Sequence, residues 1–384
     1  MKKVAIIGAG ISGLFFANLL KQNSKYNFTI YEKNKFINLE KGYGVQLSVN
    51  SITLLNKIGF NNFNQQHLYN PKKIDFYSFL KSKKICDLDI KIFNSREINY
   101  TTIQRSSLIE FLRDKLPSNS IKYNNRIIKI NNTNKNIEIT FNNKKTAIYD
   151  YLIACDGIFS STKSLLMQKE IKPKYSNLIA IRGLLDNKNL YGINKKNISL
   201  FLGPNLHCVV YPFNKNGDFN FIGILKKKLN LDELNNLFLF KDKKFLSSNL
   251  KYFTKINNKS ILNNLKNIKC FPIFESNKIY YPNQDKVFLL GDALYAFPPT
   301  FAQGASQSIE AAYNLYEMFE KNSHEFIKKR SKKIRMINRR SKFNNFVFHL
   351  SNPLIIFVRD ILMNYLLKNK KFLNAYLGKI YKKM

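Results

Sequence analysis

Cysteine and histidine are scarce in this chain, acidic residues are few, and no long apolar run occurs. The four cysteines (Cys86, Cys155, Cys208, Cys270) lie far apart in 384 residues, with no Cys-x-x-Cys pair. That excludes a disulfide framework and a cysteine-rich zinc site. Four histidines (His67, His207, His324, His349) are too few and too scattered for a histidine-based metal centre, so no metal is expected. The most apolar stretch, residues 346–367, is interrupted by His349, Ser351, Asn352, Pro353, Arg359 and Asp360, whereas a membrane crossing needs about 20 mostly apolar residues. The opening MKKVAIIGAGISG places glycines where a secretory signal needs an unbroken apolar stretch. A cytoplasmic chain is the expectation.

Only 25 Asp and Glu stand against 63 Lys and Arg, a formal net charge of +38. Lysine and asparagine are abundant throughout, and such a general bias names no polyanionic partner. The excess is nevertheless uneven. Residues 321–384 hold 17 Lys and Arg against Glu325 and Asp360, a net +15 over 64 residues. A basic end attracts anionic lipid or nucleic acid. No nucleic-acid-binding motif accompanies the charge, so no nucleic-acid partner is expected. Peripheral contact of the basic C-terminus with a membrane surface stays open, and nothing speaks to oligomeric state.

What the chain has in quantity is apolar and aromatic material: 45% hydrophobic residues, with 32 Phe and 21 Tyr. This is ample for a large packed core. The length suggests two domains, or one carrying a sizeable insertion.

Residues 2–7 (KKVAII) read as a buried strand, 11–22 as a helix and 28–33 (FTIYEK) as the next strand, the opening unit of a parallel sheet. KIDFYSF, from residue 73, alternates as a strand does. Residues 103–116 read as a helix ended by Pro117, and 137–143 and 150–157 as a strand pair. Residues 166–270 change in texture. Short alternating strands at 197–203, 206–213 and 219–225 suit an antiparallel sheet with one covered face. KVFLLGD (286–292) returns to the buried-strand pattern, and a helix follows from about Gly304 to Lys321. Pro353 is placed to start another helix, on which Ile356, Ile361, Leu362 and Leu366 recur near helical spacing. Such a helix either packs on the body or dips into lipid.

Three segments carry chemistry. Gly8-Ala9-Gly10-Ile11-Ser12-Gly13 follows a strand and opens a helix. Gly8 permits the tight turn, Gly10 lets backbone approach a pyrophosphate, and Gly13 lets the helix pack on the strand. Glu32, 19 residues after Gly13, ends the second strand, where a carboxylate accepts from ribose hydroxyls. Asp156-Gly157, followed by Ser160, and Gly291-Asp292, followed by Gln303-Gly304, each put a carboxylate at the C-terminal end of a strand, where parallel sheets bind ligands.

Taken together, GAGISGL (8–14) with Glu32, GYGVQLSVNSITLLNKIG (42–59), QRSSLIEFL (104–112), CDGIFSSTKSLL (155–166), LGPNLHCVVYPF (202–213) and GDALYAFPPTFAQGASQSIEAA (291–312) resemble the class A FAD-dependent aromatic monooxygenases. The similarity is to members of the salicylate-hydroxylase and ubiquinone-biosynthesis-hydroxylase type and spans nearly the whole chain. It implies an α/β fold: an FAD-binding Rossmann-like domain of the glutathione-reductase type, an inserted antiparallel β-sheet substrate domain, and C-terminal helices. The boundaries expected are 1–70, 97–165 and 271–323 for the discontinuous FAD domain, 71–96 and 166–270 for the substrate domain, and 324–384 for a basic helical segment.

The cofactor residues so implied are Gly8, Gly10, Ser12, Gly13, Glu32, Lys33, Arg105, Asp156, Gly291, Asp292, Pro299, Gln303, Gly304 and Ala305. By the resemblance Arg105 contacts the FAD phosphates or ribityl chain, Asp156 serves FAD and NAD(P)H, Asp292 holds a ribityl hydroxyl, and Pro299 to Gly304 line the flavin ring. The reaction implied is hydroxylation of a small phenolic or hydroxybenzoate-like ring, using NADH or NADPH and O2 by way of a flavin hydroperoxide. The flavin carries the chemistry, so no catalytic side chain is assigned. Tyr211, Phe213, Pro298 and Pro299 are pocket candidates, within a wall that draws also on Val209, Phe221 and Phe297. Arg182 and His207 are weaker candidates for meeting a substrate carboxylate. Three residues depart from the family pattern: Tyr295 stands for a usual His, Lys163 for a usual Arg, and Ala302 for a common Gly. Two other readings are an FAD-dependent epoxidase or oxidoreductase acting on an isoprenoid or quinone-type lipid, and a basic non-enzymatic binding protein. A flavin halogenase is disfavoured, because its tryptophan-containing motif cannot exist in a chain without tryptophan.

Overall fold

The computed structural model describes residues 1–37, 39, 43–133, 135–186, 190, 193–254, 264–282, 286–319 and 323–381. Gly42, at the head of one motif, and Lys321, at the expected end of the late helix, lie outside them.

The N-terminal strand Lys2–Ile7 is apolar on both faces because both are covered. It is the centre of a five-stranded parallel sheet, ordered Val287–Leu289, Tyr151–Ala154, Lys2–Ile7, Tyr26–Tyr31, Ile121–Lys122. Val4 and Ile6 pack into one core with the helices Ile11–Lys21, Arg105–Asp114 and Gly304–Met318. Ala5 and Ile7 pack into another, against the three-stranded antiparallel sheet of Ile127–Asn132, Ile137–Phe141 and Thr146–Tyr149. Strands in such a position read as continuous apolar runs rather than alternations.

Residues 137–143 and 150–157 do not pair with each other as expected. Ile137–Phe141 pairs with the strands on either side of it in sequence, while Tyr151–Ala154 enters the parallel sheet. The short tail Thr146–Tyr149 intervenes and closes the hairpin first.

A seven-stranded sheet forms the second layer system, ordered Lys266–Glu275, Lys174–Asp186, Asp218–Lys226, Leu206–Pro212, Ile198–Gly203, Lys73–Ser78, Lys84–Asp89. Every pairing is antiparallel except that of Ile198–Gly203 with Lys73–Ser78, which is parallel. Both faces are covered, not one. Ile181, Cys208, Val210 and Phe221 pack on one side with the helix Lys243–Leu250; Leu200, Leu202, Tyr211 and Phe213 pack on the other with the C-terminal helices. Strand Ile198–Gly203 is accordingly buried along its whole length. The strand Lys266–Glu275 runs unbroken across the boundary expected at residue 270.

A small sheet, Gly44–Leu47, Thr101–Gln104 and Leu68–Tyr69, lies between the two systems. The long helix Ser323–Phe348 is followed by Pro353–Leu366, with Pro353 in its first turn and Asn352 accepting from the amides of Leu354 (3.0 Å) and Ile355 (3.3 Å). Among the described residues no helix is long and apolar enough to cross a membrane.

Candidate active site

The first glycine turn is wedged against the second motif. Gly8 has φ +104, and a Cβ there would lie 2.5 Å from the carbonyl oxygen of Cys155. A Cβ on Gly13 would lie 2.2 Å from the Gly8 carbonyl oxygen, so this helix seats on its strand only with glycine at that position. Ser12 is buried against the third motif: a Cβ on Gly291 would come within 2.7 Å of its Oγ. The three motifs therefore meet at the C-terminal ends of neighbouring parallel strands.

Where they meet, backbone is left uncovered. Gly10, Gly157 and Gly304 each have nothing within 4 Å of the position a Cβ would take. Gly10 precedes the helix Ile11–Lys21 and Gln303 precedes Gly304–Met318; neither helix start is capped by a side chain or carries an acid in its first turn. Uncapped helix N-termini present free amides and the positive end of the helix dipole, the arrangement that receives phosphate. Glu32 is held beside the turn, its Oε2 accepting from the Ala9 amide at 3.1 Å and its Oε1 from the Asn34 amide at 3.0 Å. Lys33, next in sequence, points to solvent.

Asp292 follows Gly291 at this junction. Its side chain is reachable by solvent, yet protein surrounds it closely enough that desolvation raises its carboxyl pKa, against the pull of Arg105 and Lys163. Arg105, at the head of helix Arg105–Asp114, is lowered by the same enclosure and by Arg182, and drawn back by Asp292. Lys163 is buried, and desolvation lowers its pKa against the attraction of Asp156 and Asp292. Arg105, Lys163, Asp156, Arg182 and Asp292 thus share one electrostatic neighbourhood. Asp156 itself is turned inward: it accepts from Ser160 Oγ at 2.5 Å and from the Thr162 amide at 3.0 Å, fixing the start of helix Ser161–Leu166.

The apolar candidates divide between the two faces of the large sheet. Val209, Tyr211, Phe213 and Phe297 belong to one cluster, but Phe221 faces the opposite core and is no part of that wall. Tyr211 is fully buried, and its hydroxyl reaches Gln46 and lies in the field of Arg182. It is also packed against Gly44, where a Cβ would meet its ring at 2.9 Å. Pro299 is exposed while Pro298 is buried. Arg182 lies over the Tyr43 ring, 5.5 Å from its centre. His207 lies on the same strand face as Val209 but is engaged elsewhere: it is buried, its ring 5.4 Å from that of Phe348, with Nδ1 2.7 Å from Nε2 of His349.

Of the three departures, Tyr295 is buried, with its ring 5.1 Å from that of Phe297, and enclosure by protein raises its pKa. Ala302 takes φ 50, ψ 32, a left-handed conformation that glycine adopts without strain. Ala305 sits half-buried in the late helix's first turn.

Several residues that hold the site together lie within the quoted segments 42–59 and 291–312 but, Gln303 apart, have no role assigned from the sequence. The Ser48 amide donates to Ser306 Oγ (3.1 Å), Gln303 Nε2 donates to Ser48 Oγ (3.3 Å), and Asn50 Nδ2 donates to Glu310 Oε2 (2.6 Å). Glu310 is also paired with Arg330 (3.3 Å) and Lys333 (3.1 Å), all three almost wholly buried. In sequence these are ordinary polar residues on helices; only the fold brings them together.

An FAD-binding-domain family profile matches residues 1–323. The chain belongs to this FAD-binding family. Curated relatives within it are distant but extensive. The chain is 22% identical over 360 residues to a 3-amino-4-hydroxybenzoate 2-monooxygenase of Streptomyces platensis, covering 91% of this chain and 89% of that one. It is 22% identical over 342 residues to a salicylate hydroxylase of Pseudomonas putida, covering 82% and 75%. Among solved structures, HpxO of Klebsiella pneumoniae complexed with FAD and uric acid superposes with a TM-score of 0.82 at 18% identity, over 99% of this chain and 96% of that one. A salicylate hydroxylase substrate complex superposes at 0.73 and 18% identity, over 100% and 98%. The fold is therefore that of the FAD-dependent aromatic monooxygenases, and FAD is the cofactor of the family to which this chain belongs.

Proposed function

We propose that this protein is an FAD-dependent monooxygenase that uses NADH or NADPH and O2 to hydroxylate a small phenolic or hydroxybenzoate-like ring. The observation that carries the reading is the meeting of three distant motifs around Asp292, with open backbone at Gly10, Gly157 and Gly304. Free amides of the two uncapped helix starts bind the cofactor's phosphates, and Glu32 accepts from its ribose. Arg105 neutralises phosphate charge, and Asp292 accepts from a polyol hydroxyl. Bound FAD supplies hydride acceptance and oxygen activation; the protein supplies position and dryness. Asp156 acts indirectly, by shaping the turn beside Gly157.

The substrate side is formed by the large sheet where Gly44–Leu47 crosses it, with Tyr211, Phe213, Phe297 and Pro299 as wall and Arg182 as the cation available to an anionic ring substituent. The apolar cluster around Tyr211 keeps water from the reacting face. The same division assigns 1–70, 97–165 and 276–323 to the cofactor unit and 71–96 with 166–275 to the sheet unit, since Lys266–Glu275 is one strand of the large sheet.

NADH and NADPH oxidation across a panel of phenols and hydroxybenzoates, with hydrogen peroxide measured beside product, tests this directly. A purified protein that takes up no FAD on reconstitution ends the proposal. One observation favours the lipid-oxidising alternative: the apolar outer face of the helix Pro353–Leu366, considered next.

A further inference from the structure

The helix Pro353–Leu366 is built inside out. Its inward stripe, lying on the edge strand Lys84–Asp89, holds a charged pair. Arg359 is buried, bonds Asp360 Oδ1 at 2.7 Å and donates to the Val347 carbonyl oxygen at 3.3 Å; half-buried Met363 supplies apolar contact beside it. Its outward face carries Leu354, Ile355, Phe357, Val358, Ile361, Leu362 and Tyr365, each between 51% and 77% exposed. Of the four apolar residues at helical spacing, Ile361 and Leu362 are on this outer side, while Ile356 and Leu366 are half-buried. Of the 21 exposed large hydrophobics among the described residues, nine fall within residues 343–365, so the exposure is concentrated and not the usual scatter.

We infer that this face docks on an anionic lipid bilayer, with the helix lying in the plane of the surface. Charge selects the occupant. The only acid in the helix is tied to buried Arg359, and exposed Lys368, Lys370 and Lys371 follow it directly. A second copy of this chain would bring a net +38 against +38, whereas an acidic membrane supplies both an apolar layer and opposite charge. Length selects the orientation: 14 residues span about 21 Å, short of the roughly 30 Å hydrocarbon core. The inference holds whatever ring or lipid the enzyme oxidises.

The test is sedimentation of the flavin-loaded full chain with vesicles of phosphatidylcholine alone or mixed with phosphatidylglycerol, at low and high salt. The wild type is expected to pellet with the mixed vesicles at low salt, and at least tenfold less with phosphatidylcholine alone or at high salt. The double substitution Phe357→Ser, Ile361→Ser, at exposed positions, is expected to keep flavin content and turnover while lowering partitioning at least tenfold. Lys370→Glu with Lys371→Glu is expected to lower it while leaving the apolar face intact. The inference is overturned if the wild type stays in the supernatant with mixed vesicles at low salt, or if the Ser variant pellets as the wild type does. It is equally overturned if light scattering shows a dimer that the Ser variant dissolves, which would make the face a self-interface.

Discussion

Asp292 lies in the turn before the late helix and Glu310 within that helix, and both are acids near cations. They are held very differently. Glu310 is saturated: Asn50, Gln307, Arg330 and Lys333 all lie within hydrogen-bonding or ion-pair distance of its carboxylate. Asp292 is near Arg105 and Lys163, which act on it through space, and its side chain stays open to the recess. Residue type does not separate them; saturation does. A buried acid whose partners are all supplied by the chain belongs to the scaffold. An acid with cations near it and an exposed side chain is the one we propose for a hydroxyl of the cofactor.

The contrast breaks most visibly at Glu310. Its replacement by alanine strands Arg330 and Lys333 without their anion, and is expected to lower stability by about 3–5 kcal/mol. Chemical denaturation checks this, and a loss under 1 kcal/mol would remove the distinction.

The buried His207–His349 pair extends the scaffold side. Burial first, and then the neighbouring imidazole, pushes His207 well below its usual range; burial and then Lys226 push His349 down to about 4. Unfolded histidines take up protons from about pH 6.5 downward, while the folded pair resists. Stability is therefore fully present above about pH 6.5 and falls as pH drops toward 4, by on the order of 3 kcal/mol for His349. Urea denaturation at pH 7.5 and 5 should show the slope, and a His207→Gln, His349→Gln variant should flatten it.

On the recess side, Asp292→Ala is expected to leave the cofactor-free protein almost as stable as before. It should weaken FAD retention by about 10- to 100-fold, the worth of a hydrogen bond to a charged acceptor. Flavin absorbance per protein after gel filtration reads this out, and unchanged flavin content would move Asp292 to the scaffold. The smallest effect expected is at Ala302. With φ at 50, Ala302→Gly should raise stability by roughly 0.5–1 kcal/mol, read as a higher denaturation midpoint.

The recess was legible in the sequence because its requirements are those of backbone: close approach admits only glycine, and Gly8, Gly13 and Gly291 mark it at fixed distances from strand ends. The parallel sheet was legible for the same reason that its strands are buried on both sides. The scaffold acids were not legible, since Glu310 and Arg330 become partners only through helix packing that no local pattern encodes. Nor was the second cover on the large sheet, which comes from C-terminal helices far away in sequence. The helix at Pro353 was visible from its proline and spacing, but not which side of it would be solvent-facing. Periodicity says that a stripe exists, and buried Arg359, paired with half-buried Asp360, reverses the ordinary assignment.

The nesting of the chain has a consequence for synthesis. Strand Lys2–Ile7 emerges first, yet its neighbour's outer partner Val287–Leu289 emerges only after every strand of the large sheet has been made. No nascent chain ending before that point holds the complete parallel sheet or Asp292. Such long-range closure slows folding and leaves strand edges unpaired while it waits. On the proposed site, truncated chains that end before Val287 should therefore be colourless and prone to aggregate.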